Sequence, residues 1–154
     1  MKRLLFVLAV GLAIGIVGVA QGAAKGRKDS GTAYVTVIHQ VGKQEIAGGD
    51  IKDKVLGRGA ILYTLTVSAG PPSTPGASVT IKAKKVTLFT SKGTLSGTGK
   101  AVQTINADGT GNVQDGSVKL TKGTGALKGH SLVATFGGPY NGTFYTFTYK
   151  GTYK

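Results

Sequence analysis

Few side chains in this sequence have the chemistry to act on another molecule, and most of them lie on alternating stretches. His39 interrupts an otherwise apolar set, Ala33, Val35, Val37 and Val41, spaced by twos. An imidazole on such a face must find a hydrogen-bond partner or line a wet cavity. It is also the side chain best suited to proton transfer near neutral pH. Tyr63 stands in a second set, with Ile61, Leu65 and Val67, and offers a phenol hydroxyl to a ligand. Tyr145, Phe147 and Tyr149 alternate with Thr146, Thr148 and Lys150. They read as the wall of an apolar pocket, or equally as the filling of a narrow interior. The candidate ligand-binding set is therefore His39, Tyr63, Val37, Tyr145 and Phe147, with no catalytic residue assigned.

Several chemistries are excluded. The chain has no cysteine, so disulfides, thiolate nucleophiles and thiolate metal sites are absent. His130 and Ser131 are neighbours, which point to opposite faces of a strand and cannot form a triad. No Gly-x-Ser-x-Gly elbow occurs. Two histidines and six scattered carboxylates give no metal-ligand pattern, so neither metal nor cofactor is expected. Asp50 and Asp53 read as a solvated loop pair. Asn141-Gly142-Thr143 fits a glycosylation sequon, a chance match in a chain this rich in Gly and Thr.

The elements that would position these residues are strands. Alternation predicts strands over 32–41, 59–69 and 144–153. Residues 42–54, charged and holding the pair Gly48-Gly49, read as a long loop over one barrel mouth. Prolines break the second strand at 70–76. Within 78–90 the apolar phase slips: Val79, Ile81 and Ala83 are odd, Val86 and Leu88 even. The slip at Lys84-Lys85 predicts a β-bulge. Turn signals at Lys92-Gly93 and Asn106-Ala107-Asp108-Gly109 delimit strands over 94–105 and 110–121. A further strand covers 131–136. Seven or eight short strands without helix signals between them mean an all-β sandwich or barrel, not a parallel sheet.

Composition sets the class. A length of 154 residues fits one domain with a core large enough to need no staples. Residues 1–24 read as a secretory signal: Lys2 and Arg3, then an uncharged apolar run, then small residues around Ala20 and Gly22. Residues 25–30 read as a basic linker and 31–154 as the barrel domain. The expected location is outside the cytoplasm, extracellular or periplasmic. Nineteen Lys and Arg against six Asp and Glu give a net charge of +13, which favours a polyanionic surface as partner. Nucleic acid is not expected, because the lysines are scattered singly without clustered Arg or interleaved aromatics.

Three stretches resemble the allene oxide cyclase and dirigent barrels. They are Asp53-Lys54-Val55-Leu56-Gly57, Lys122-Gly123-Thr124-Gly125-Ala126-Leu127-Lys128-Gly129, and Phe144-Tyr145-Thr146-Phe147-Thr148-Tyr149-Lys150-Gly151. The resemblance spans 34–153. It implies a single antiparallel eight-stranded, calycin-like barrel, which here would follow the N-terminal signal helix read from residues 1–24. It also implies a homotrimer and an apolar lumen where a small apolar molecule is cyclised, isomerised or guided in coupling without a cofactor. The family's paired Glu and Asn fall at Val37 and His39, and its lumen Cys at Tyr63. Two functions follow as expectations: a barrel that binds a small apolar molecule in its lumen, or a non-catalytic cell-surface or wall module acting through its basic exterior. A roomy lumen with His39 and Tyr63 inside would favour the first. A lumen plugged by aromatics would favour the second.

Overall fold

The computed structural model describes residues 25–67 and 75–154. The expected signal segment lies outside them, as does most of the proline-rich break. Eight strands follow one another around a closed antiparallel barrel: β1 (Arg27–Val41), β2 (Gln44–Asp53), β3 (Gly57–Val67), β4 (Ser78–Thr90), β5 (Gly93–Ile105), β6 (Gly111–Gly123), β7 (Leu132–Tyr140) and β8 (Phe144–Tyr153). Each strand pairs with its sequence neighbour, and β1 pairs with β8 to close the ring. Closure leaves no free sheet edge.

Alternation decides what enters the barrel. Ala33 and Val35 of β1, Leu88 of β4, Leu95 of β5, Leu120 of β6, Leu132 of β7 and Tyr145, Phe147 and Tyr149 of β8 are buried. They form one apolar core. Leu56, in the turn after β2, and Leu127, in the 3-10 turn Gly125–Leu127, join that core from the same end of the barrel.

The strand assignments for 78–90 and 144–153 coincide with β4 and β8. The bulge at Lys84-Lys85 is present, as a register shift between Ala83 and Val86 against β5. Two expectations need correction. Residues 42–54 are not a loop but contain β2, ten residues long and paired to both neighbours. The glycines that suggested a break serve close packing instead. A Cβ on Gly49 would collide with the Tyr34 carbonyl of β1, the usual reason for glycine inside a strand. Residues 27–30 are likewise not linker but the first part of β1, held in register by Tyr153, Thr152, Gly151 and Lys150 of β8.

The inward placement of Phe147 yields a prediction. Phe147→Ala is expected to cost about 3–5 kcal/mol in urea unfolding, the range for emptying a core aromatic site. Tyr34→Ala, at a residue 55% exposed on the outside, is expected to stay within about 0.5 kcal/mol of wild type. Equal effects would mean that the inside and outside faces are wrongly assigned.

Candidate functional site

The lumen holds an internal cavity of about 100 Å³, lined among others by Ile61, Tyr63, Leu88, Phe136, Tyr145, Phe147 and Tyr149. Pockets for drug-sized ligands run to roughly 300–1,000 Å³. The lumen is therefore mostly filled, and aromatic rings fill it. Tyr140 stacks on Tyr145 at 4.4 Å and Tyr145 on Phe147 at 5.4 Å, while Phe136 meets Phe147 edge-on at 5.4 Å.

Of the residues singled out in the sequence, Tyr63, Tyr145 and Phe147 line this cavity together. Val37 packs against the core but does not line the cavity. His39 does neither. A bulge between Val37 and His39 makes Ile38 an extra residue: Val37 pairs with buried Ala47, but His39 pairs with exposed Ile46. Directly opposite residues share a face of the sheet. The imidazole is thereby turned outward, and the alternation that placed it inside ends one residue before it.

The carboxylates Asp29, Glu45 and Asp53, expected in a linker or a loop, stand inside. On β2, Glu45, Ala47, Ile51 and Asp53 are all buried, so the strand carries an acid at each end of the barrel. The signal lies in that odd-numbered set, disguised by Gly48-Gly49. At one end, burial raises the Glu45 carboxyl above its ordinary value. Tyr145 lies near it, its phenol pushed up to about 12 by burial first and by the charge of Glu45 second. The Gln103 amide donates to the Tyr145 hydroxyl at 2.9 Å. Burial, then Tyr145 and Glu45, also raise the Tyr63 phenol.

At the other end, Asp53 accepts from the amides of Val55 at 2.7 Å and Leu56 at 2.6 Å through one oxygen. Its second oxygen accepts from the Tyr149 hydroxyl. Gly31 makes this possible, because a Cβ there would occupy the place of that hydroxyl. Burial, then the hydrogen bond and charge of Asp53, raise the Tyr149 phenol. Asp29 is buried beside this group. Among the described residues no cluster of three or more His, Cys, Asp or Glu could hold a metal ion.

The exterior has the opposite sign. Every Lys and Arg among the described residues is exposed, whereas Asp29, Glu45 and Asp53, half of the chain's acidic residues, are buried. Register aligns one row around the outside: Lys82 of β4 opposite Lys100 of β5, then Ser117 of β6, Thr135 of β7, Lys150 of β8 and Ser30 of β1. The row next to it places Thr98, Lys119, Val133, Thr152 and Lys28 side by side. An open groove of about 710 Å³ runs over the first row, bordered by Lys100, Ser117, Thr135, Thr148 and Lys150. Asp115, which takes a positive φ of 52° at a β6 bulge, is the one carboxylate on it. Among the described residues no ion pair neutralises these lysines.

No known protein family, curated protein or solved structure matches the chain.

The buried hydroxyl at Tyr149 and the exposed imidazole at His39 should respond differently to truncation. Tyr149→Phe leaves Asp53 short of one donor and is expected to cost about 1–3 kcal/mol by denaturant unfolding. His39→Ala is expected to stay within about 0.5 kcal/mol. A costly His39→Ala alongside a neutral Tyr149→Phe would reverse the placement of the two residues.

Proposed function

We propose that this chain is an exported, non-catalytic barrel that binds an anionic polymer of the cell surface or wall, such as an acidic polysaccharide, through its lysine rows. The observation that carries the reading is the Lys82–Lys100 pair and the row it begins. Like charges directly opposite on neighbouring strands destabilise a sheet. Here they stand unneutralised, in line with Lys150 and with hydroxyl donors between. An anionic chain laid along that row would remove the repulsion and release counterions. With strands about 4.8 Å apart, the row from β4 round to β1 extends roughly 24 Å, long enough for several charged units. Ser117 and Thr135 supply hydrogen bonds between the charges, and Ser30 supplies one beyond Lys150. The filled lumen supports the same reading, since it leaves the exterior as the larger accessible surface. Export rests on the signal pattern of residues 1–24.

A column of immobilised dextran sulfate checks this. Lys82→Glu, Lys100→Glu and Lys150→Glu, combined, are expected to lower the eluting salt concentration far more than the same reversals at Lys92, Lys128 and Lys43. Asp115→Asn is expected to raise it. Equal losses for both triple variants would reduce the binding to net charge and sink the site. Binding confined to anionic vesicles would move the partner from polymer to lipid and overturn this reading.

One observation favours a second reading, a small apolar molecule in the lumen. The remaining cavity of about 100 Å³ is apolar on nearly every side and approaches the roughly 150 Å³ of an apolar cavity that takes up benzene or xenon. A long-chain substrate folded for cyclisation does not fit in about 100 Å³. Xenon or benzene, followed by NMR of the methyl groups, is expected to perturb Ile61 and Leu88 and leave Val133 unchanged. An unperturbed lumen would remove the ligand reading.

A further inference from the structure

Asp29 and Asp53 lie at the seam of the barrel, on β1 and β2, only 4% and 5% exposed. They belong to a chain of net charge +13, yet no lysine or arginine pairs with either among the described residues. Asp53 accepts through both oxygens, from the Val55 and Leu56 amides and the Tyr149 hydroxyl, and a carboxylate still has a site left for one more donor. Asp29 does not accept through both. One of its oxygens accepts from the Ser30 amide at 2.8 Å, and the other, Oδ2, is buried with no partner. A buried oxygen left in that state is costly unless it carries a proton of its own. Asp53 is the adjacent acceptor: Asp29 and Gly31 share the inward face of β1, Gly31 is directly opposite Asp53, both carboxyls are buried there, and the charge of Asp53 acts on Asp29.

We propose that Asp29 and Asp53 bind a single proton between them, carried by Asp29 and donated to Asp53, and that this proton is a pH-sensitive clasp on the barrel seam. The clasp joins three strands. Asp29 is opposite Gly151 of β8, Gly31 is opposite Asp53 of β2, and the Lys54 amide donates to the Ser30 carbonyl at 2.9 Å. The groups facing Asp29 from β2 and β8 are all of one kind. β2 presents Asp53, and β8 presents Tyr149 and Tyr153, both phenols held protonated by burial and by these same carboxylates. His130 stacks on Tyr153 at 5.1 Å, its Nδ1 occupied by the Lys154 carbonyl. Lys28, Lys54 and Lys150 are exposed, and Arg27, on the face of Asp29 and opposite Tyr153, is exposed at the strand end and forms no ion pair with either carboxylate among the described residues. Among these residues no cation is paired with either carboxylate to take over when the proton leaves.

Burial first, and the Asp53 charge second, raise the Asp29 carboxyl to about 6 from an ordinary value of 3.8. The folded state therefore holds the proton more tightly than the unfolded chain. The stability it contributes is fully present below about pH 4 and is lost as pH rises through about 6.

Denaturant midpoints of the full chain, measured from pH 4 to pH 8 at fixed salt, test this together with carbon-13 NMR of the aspartate carboxyls. Wild type is expected to take up about one extra proton on folding within that window, giving a midpoint that falls as pH rises. One aspartate carboxyl should titrate near 6. Asp29→Asn replaces the proton with an amide hydrogen that Asp53 can accept. It is expected to reduce this slope, leaving the part that the buried Glu45 carboxyl contributes, and to exceed wild type in midpoint at pH 8. An Asp29→Asn slope equal to that of wild type would overturn the proposal. So would a wild-type spectrum with no carboxyl titrating above pH 5, a readout that does not depend on the variant folding. A rise in the wild-type midpoint at pH 8 on adding millimolar calcium, absent in Asp29→Asn, would assign the pair to a divalent cation and also overturn it.

Discussion

The pairing of β1 with β8 is the contact on which the rest of the molecule depends. It turns a run of hairpins into a ring, and a ring has an inside. Once closed, eight strands enclose a space just wide enough for their own side chains. Every second residue must then either fit that space or face water. The apolar β8 residues Tyr145, Phe147 and Tyr149 take much of it, and the glycines opposite large neighbours leave room for them. The cavity that remains is the mismatch between the volume enclosed and the rings that fill it.

Closure also sorts the charges. Three of six acids are drawn inside, where burial raises the Asp29 and Glu45 carboxyls. The lysines remain outside, where their long stems cover the strands and their ammonium groups stay hydrated. The result is an exterior more positive than the composition alone implies. Repulsion across that surface works against the compact state. The interior supplies the compensation: aromatic stacking, the Gln103–Tyr145 hydrogen bond, and the Asp53 group that ties Tyr149 to the turn after β2.

The two ends of the lumen are chemically unlike its middle. Glu45 with Tyr63 and Tyr145 forms one polar end, and Asp29 with Asp53 and Tyr149 the other. Between them the wall is hydrocarbon and aromatic ring. Polar groups placed this way can reach water or one another without crossing the apolar middle. Buried polar atoms demand such an arrangement.

The sequence by itself determined the all-β class, the strands over 78–90 and 144–153, the bulge at Lys84-Lys85, and the inward face of β8. Each follows from local alternation, a property of neighbouring residues alone. It also made the net charge legible, because charge adds without regard to fold. Tertiary structure decided the rest. Residues 42–54 look like a loop until both neighbouring strands are in place, since Gly49 is needed only where Tyr34 of β1 passes close by. His39 keeps its place in the alternation on paper, but an extra residue at Ile38 turns it outward, and a bulge is created by the partner strand's register. The lysine rows run from β4 round to β1, where Ser30 meets Lys150 of β8 from more than a hundred positions away in the chain. Asp29 and Tyr149 meet only because the first strand closes on the last. Local pattern sets which face a residue prefers; only the closed ring sets which residues share that face.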